Sequence, residues 1–178
     1  MNRRELLPIL TGGGLCMTAG QAPWTANRAV RKNFEFSYEV SAEPEKVFPL
    51  LCPVREYEWL DGWACEVVYT QSGVAELGCV FKTRFDNVSA TWHVNLYEPP
   101  RRIEYLIVAP DTLITRLAID VTRSGEGRTQ LQWHRVFTAL SPAGQALANA
   151  WTPERERELG LRLEHFLKTG EMLKKGRV

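Results

Sequence analysis

The chain has 178 residues, 44% of them hydrophobic, and a formal net charge of +1 with its lysines and arginines scattered. That size suits one domain able to bury roughly two-thirds of its unfolded surface without disulfide staples. Balanced, unclustered charge offers no basic face to a phosphate backbone or an anionic membrane, so nucleic acid is excluded as an expected partner.

Residues 1–32 differ from the rest. Arg3 and Arg4 precede a weakly apolar run from Leu6 to Leu10 and then the small residues around Gly12, Gly13 and Gly14. This is the order of an export signal, too short and too glycine-rich to span a membrane. Asn2-Arg3-Arg4-Glu5-Leu6-Leu7 partly matches the twin-arginine pattern, and small residues at Thr18 and Gly20 suit cleavage before Gln21. Export to the periplasm is the expectation if residues 1–20 act as a signal; a plain N-terminal extension of a cytoplasmic protein is the alternative. Beyond Cys16, the cysteines Cys52, Cys65 and Cys79 are odd in number and too widely spaced for a zinc knuckle. No metal site is expected. Three free thiols are expected, with a Cys52 to Cys65 bridge the alternative in an oxidising compartment.

The domain is expected over residues 33–176. Residues 33–40 alternate cleanly, Phe34, Phe36, Tyr38 and Val40 against Glu35, Ser37 and Glu39, which predicts a half-buried strand. A short helix follows from Pro44 with Val47, Leu50 and Leu51 inward; Pro53 interrupts it, and a second short turn runs to Asp61-Gly62. Strands are predicted at 65–70, 80–85, 90–97, 102–108, 113–121 and 129–140. Turn chemistry fills the gaps, including Asp86-Asn87 and Glu98-Pro99-Pro100. Such short connections require antiparallel neighbours. From Ser141 to Lys174 the sequence reads as one long or once-broken helix. Ser141-Pro142 and Thr152-Pro153 are two helix starts, and Gly170 or Gly176 is the stop. Its apolar stripe is expected at Ala143, Ala146, Leu147, Ala150 and Trp151, then Leu159, Leu163, Phe166, Leu167 and Leu173. Glu158 with Arg162 and Glu164 with Lys168 are expected on the wet side. The fold class is therefore α+β: a curved antiparallel sheet of about seven strands, two short helices after the first, and a C-terminal helix closing the apolar face.

The element order and Phe36-Ser-Tyr-Glu-Val-Ser-Ala-Glu-Pro-Glu-Lys-Val-Phe48 resemble the START-related lipid-transfer, plant-allergen and polyketide cyclase/dehydratase superfamily, the helix-grip fold. Cys52-Pro-Val-Arg-Glu-Tyr-Glu-Trp-Leu-Asp-Gly-Trp63, Ser72-Gly73 and Cys79-Val-Phe81 are similar to a bacterial branch of it. The resemblance covers about residues 33–174 and speaks to fold, because that superfamily shares a cavity rather than a catalytic motif. It implies a pocket between sheet and helix that holds a small apolar molecule.

Alternation places Trp92, Val94 and Leu96 inward in one strand, and Leu131, Trp133 and Phe137 inward in another, leaving His93 and His134 outside. His165 lies on the terminal helix near Lys168. A histidine base is disfavoured, as are serine hydrolases and nucleotide enzymes, whose motifs are absent. Arg135 is out of character on an apolar face and needs a carboxylate. Glu56, Glu58 and Asp61 are the candidates for a structural pair, and the alternative is an anchor for a ligand carboxylate or enolate. The connector of residues 52–63 is dense in charge and aromatic surface; Tyr57, Trp59 and Trp63 either plug the core or face a ligand. Glu56 and Glu58 point apart and do not suit paired acid–base work. The candidate ligand-binding set is Arg135, Trp133, Phe137, Trp92, Tyr57, Trp59, Trp63 and Glu56, with no cofactor. Binding or carriage of a small, mostly apolar ligand is the expectation. A cyclase or dehydratase and a protein-binding module with a filled pocket stay open as alternatives.

Overall fold

The computed structural model of the chain describes residues 30–85 and 88–174. Seven antiparallel strands form one sheet: β1 (Arg31–Val40), β2 (Ala64–Tyr69), β3 (Val80–Phe85), β4 (Val88–Glu98), β5 (Arg102–Ala109), β6 (Leu113–Gly125) and β7 (Arg128–Ala139). Their order is β1-β7-β6-β5-β4-β3-β2. β2 to β7 are thus a plain meander, and β1 adds beside β7 at the far edge. The chain must cross from one edge to the other between β1 and β2. It does so through α1 (Pro44–Val47), a 3-10 turn (Phe48–Leu51) and α2 (Pro53–Glu56). Each of these three short helical pieces has proline in its first turn, where the missing N–H goes unneeded. Val47, Phe48, Leu50 and Leu51 are buried beneath this crossing, each such side chain contributing roughly 1.5–3 kcal/mol.

The terminal helix is two helices, α3 (Pro142–Asn149) and α4 (Pro153–Thr169). Ser141 and Thr152 cap them, their side chains accepting from Gly144 N and Arg155 N. Gly170 ends α4 in the left-handed region at φ 73°, donating its N–H to Phe166 O at 2.7 Å. Lys32, assigned to the N-terminal extension above, belongs to β1. Its Nζ donates to Ala148 O and Trp151 O, both at 2.9 Å, and closes the C-terminal end of α3.

Three expectations are corrected. A bulge between Val94 and Leu96 inserts one residue, so Leu96 pairs with Glu104 on the outer face while Tyr97 turns inward against Phe48. In α3, Ala143 and Ala146 are exposed, as is Ala150 at its C-cap, and the buried residues are Gly144 and Ala148. Alanine has too little apolar surface to fix a helix's rotation; a close backbone approach fixes it instead. A Cβ on Gly144 would lie 1.8 Å from Thr112 O. Finally, Arg162 pairs with Glu158 at 2.5 Å but is buried, its Nη1 donating to Leu173 O at 3.3 Å, so only the Glu158 half of this pair is on the wet side.

Gly144→Ala should therefore lower stability by about 1–3 kcal/mol, because overpacking against backbone outweighs alanine's helix propensity of about 1 kcal/mol. A urea melt as stable as the parent's would show that α3 can ride higher without loss.

Cys52, Cys65 and Cys79 are free thiols. Burial pushes Cys52 up to about 12 and Cys65 up to about 11, so neither is a thiolate nucleophile at neutral pH. The expected export signal at 1–20, Cys16, the turn at Asp86-Asn87 and Gly176 lie outside the described residues.

Candidate functional site

Two apolar clusters fill the concave side of the sheet. The larger joins the short helices, the sheet centre and Leu163 of α4; the smaller joins Phe34, Leu113, Phe137 and Ala148 beneath α3. Between them lies a cavity of about 190 Å³. The sequence explains the gap. Ala90 and Ala109 are small where neighbouring rows of the sheet carry Trp92 and Ile107, and a row of small residues leaves room above it. Leu147, Ala150 and Trp151 at the end of α3 and Arg155 and Leu159 of α4 form the roof.

The walls are aromatic. Trp59, Trp63, Trp92, Trp133 and Trp151, five of the six tryptophans in the chain, line the cavity together with Phe137. Hydrogen bonds fix four of the indoles: Trp59 Nε1 donates to Leu50 O at 2.8 Å, Trp63 Nε1 to Pro53 O at 2.8 Å, Trp92 Nε1 to Thr83 Oγ1 at 2.7 Å, and Trp151 Nε1 to Glu156 Oε2. The connector of residues 52–63 thus plugs one end of the core and also lines the open space. Tyr57 does neither. Its ring is 58% exposed and it does not line the cavity, because the turn after α2 points it to solvent while Glu56 and Trp59 point in.

Arg135 lines the cavity and is buried, as its place between Trp133 and Phe137 requires. Its ion-pair partner is neither Glu58, bound to Arg55 at 2.6 Å, nor Asp61, bound to Lys174 at 3.3 Å. It is Glu156 of α4, whose Oε2 lies 3.5 Å from Arg135 Nε and accepts from Trp151 Nε1 at 2.7 Å. The guanidinium sits between two indoles, 5.1 Å from the Trp133 ring and 4.2 Å from that of Trp151. The pair is incomplete: Arg135 Nε, Glu156 Oε1, Trp133 Nε1 and Tyr38 Oη are buried without a hydrogen-bond partner. Such orphans are costly in a folded chain and concentrate where a ligand or water completes the network.

Glu56 is the carboxyl that lines the cavity itself. Burial pushes it up to about 8; Arg135 pulls the other way and Glu156 adds to the rise. At neutral pH it is therefore a protonated acid on the cavity wall, able to donate a hydrogen bond. The three histidines lie elsewhere. His93 is exposed beside Asn95, His134 sits on the outer face 3.5 Å from both Glu35 and Asp120, and His165 is on α4 outside the cavity lining.

Seven of the eight side chains singled out in the sequence line one cavity, and Tyr57 is the exception. Glu156, Trp151, Thr83 and Arg155 were missed. Glu156 had a signal: counting back from Leu163 and Leu159 by three and four reaches it, a carboxylate on the buried stripe of a helix, as anomalous there as Arg135 is in its strand.

Among the described residues no helix is long and apolar enough to cross a membrane. The sequence matches the family model for polyketide cyclase / dehydrase and lipid transport over residues 31–161. No curated protein matches it. Among solved structures, norcoclaurine synthase of Thalictrum flavum in complex with dopamine and hydroxybenzaldehyde aligns over 97% of this chain and 100% of its own at 10% identity, with a TM-score of 0.62. Protein MLL2253 of Mesorhizobium loti aligns over 79% of this chain and 100% of its own at 19% identity and a TM-score of 0.59. DynU16, a protein in the dynemicin biosynthetic locus, aligns over 78% of this chain at 18% identity and a TM-score of 0.56; the alignment spans 48% of that protein. At these identities the likeness to solved structures is one of fold, here the helix-grip fold. The family match, which covers most of the chain, carries the assignment: the protein belongs to the polyketide cyclase / dehydrase and lipid transport family.

Proposed function

We propose that the protein binds and carries a small, mostly apolar molecule in the cavity between the sheet and the α3–α4 pair. The observation that carries this is the cavity itself: about 190 Å³ of open space with aromatic walls and orphaned polar atoms at one side. An apolar cavity of about 150 Å³ holds benzene, so this one suits a single ring with a short substituent or a compact bicycle. Trp59, Trp63, Trp92, Trp133 and Phe137 supply apolar surface, and Arg135 and Glu56 orient whatever polar atom the ligand has. Native mass spectrometry of the protein purified without added ligand should show an adduct of about 100–200 Da, the size such a cavity admits. A bare protein mass, with no uptake of added toluene, would sink the proposal.

A second reading, an enzyme of the cyclase or dehydratase type, draws on Glu56. A protonated carboxyl beside a guanidinium in an aromatic-walled cavity can donate a proton or steady an enolate. Turnover of hydroxyacyl aromatic substrates, lost in Glu56→Gln, would favour it. A protein-binding module needs a pocket filled by side chains, and the open cavity does not support one.

A further inference from the structure

We infer that the protein self-associates as a two-fold dimer, joining the free edge of β2 and the loop after it to the same edge of a second copy. β2 ends the sheet, and no described element pairs with its outer side. Five of its six residues are exposed, Cys65 being the exception. Such an edge offers a row of unpaired N–H and C=O groups to another extended chain. The opposite edge is not open in this way. β1 carries Arg31, Lys32, Glu35 and Glu39, Ser41 N just beyond it donates to Glu164 of α4 at 2.7 Å, and Gly160 of α4 lies against the Tyr38 ring.

The surface beside this edge is apolar. Of the ten large apolar side chains exposed among the described residues, five fall within residues 67–77: Val67, Val68, Tyr69, Val74 and Leu77. Scattered exposed apolar residues are ordinary, but a contiguous set marks a contact surface. The loop is also built inside out for one that meets only water. Glu76 Oε1 accepts from Gln71 N and, at 3.0 Å, from Ser72 N, while Thr70 Oγ1 donates to Val74 O at 2.8 Å and accepts from Gly73 N at 3.1 Å. Its polar groups thus hold one another, Ala75 anchors it in the core, and Val74 and Leu77 are left outermost, 59% and 64% exposed. A surface held in this way loses little freedom on binding.

The occupant is a second copy because the surface suits its own image. In a two-fold interface a charge near the axis meets a like charge. In a chain with 24% charged residues, residues 67–75 contain none. Two-fold antiparallel pairing of β2 with itself keeps inward side chains beside inward ones, so its centre falls on a residue rather than between two. Centred on Glu66 it would oppose two carboxylates; centred on Val67 or Val68 it opposes two valines, a favourable cross-strand pair. β2 has no lysine or proline to guard it, and its bulge between Val67 and Tyr69 shortens the added ladder without closing the edge. Residues 64–77 supply fourteen positions a side, about half of the roughly 20–30 in a standard interface. The dimer is therefore weak, with a Kd on the order of 10 µM.

The test is sedimentation velocity of the full chain from about 1 to about 200 µM, a range that brackets this Kd. The parent should pass from the mass of one chain to that of two. Val68→Lys and Leu77→Lys, each at a position already half exposed or more, should raise the Kd by about tenfold or more, because each sets two ammonium groups near the axis. Leu161→Lys, at an exposed apolar position on α4, should dimerise like the parent. Amide hydrogen exchange adds a readout that needs no variant: the β2 amides should exchange more slowly at the top of the range than at the bottom. A parent that stays monomeric throughout would overturn the proposal and leave the edge to a different protein or to a segment outside the described residues. A dimer that neither lysine variant weakens, or one in which β2 amides exchange equally at both concentrations, would also overturn it, by placing the interface elsewhere.

Discussion

Arg135→Met is expected to destabilise the protein by about 3–5 kcal/mol, the usual consequence of leaving one buried ion without its partner. Glu156 is fully buried and keeps only Trp151 Nε1 as a hydrogen-bond donor once the guanidinium is gone. In a domain of this size that loss lowers the melting temperature by roughly 10 °C. Arg135→Met with Glu156→Leu should recover all but about 1 kcal/mol, the remainder being the Trp151 indole left without an acceptor. Urea melts at pH 7 of the parent, the single variant and the double variant decide it. Arg128→Met, which breaks an exposed pair with Glu39, should match the parent and serves as the control. A single variant within 1 kcal/mol of the parent, or a double variant as unstable as the single, would mean that Arg135 and Glu156 are not coupled through burial.

The pH dependence of stability should be dominated near neutrality by Glu56. Its carboxyl ionises near 4.5 when the chain is unfolded and near 8 when folded. Between those values the unfolded state gives up a proton that the folded state keeps, so stability must fall as pH rises through the window and level off above it. The rise from 4.5 to about 8 corresponds to about 5 kcal/mol in total. Below the window the sign reverses. Glu76, held down to about 2 chiefly by hydrogen bonds from Ser72 and Gln71, contributes stability above 4.5 that is lost as pH falls toward 2. The stability maximum is thus expected near pH 5. Glu56→Gln, neutral at every pH, should flatten the decline and exceed the parent by several kcal/mol at pH 8. Melts from pH 5 to 9 that are flat for the parent, or a Gln variant less stable than the parent at pH 8, would show that Glu56 is not buried as a neutral acid.

Both results turn on residues that sequence reasoning half reached. Arg135 was conspicuous because strand alternation has period two and one register error flips every side chain. The carboxylates that local sequence offers it, Glu56, Glu58 and Asp61, all lie in the aromatic connector of residues 52–63. The structure brings Glu156 instead, from a helix that packs across β1 with Gly160 against the ring of Tyr38. Glu56 supplies an electrostatic neighbour rather than the pair.

Patterns local to a few residues were decided by the chain alone: seven strands by alternation and turns, two helix starts by Ser141-Pro142 and Thr152-Pro153, and the inward set of β7. These follow from backbone geometry, which repeats every two or 3.6 residues whatever the surroundings. Only the tertiary structure decided which face of α3 is buried, where the bulge at Asn95 turns Tyr97 inward, and that Glu156 meets Arg135. Each of these depends on a contact between segments far apart in sequence: Thr112 O against Gly144, Phe48 against Tyr97, and the indole of Trp151 holding a carboxylate. The cavity is of the same kind. It exists because small residues on β4 and β5 stand opposite a helix break at Trp151 and Thr152, and nothing within a single strand or helix records what stands opposite it.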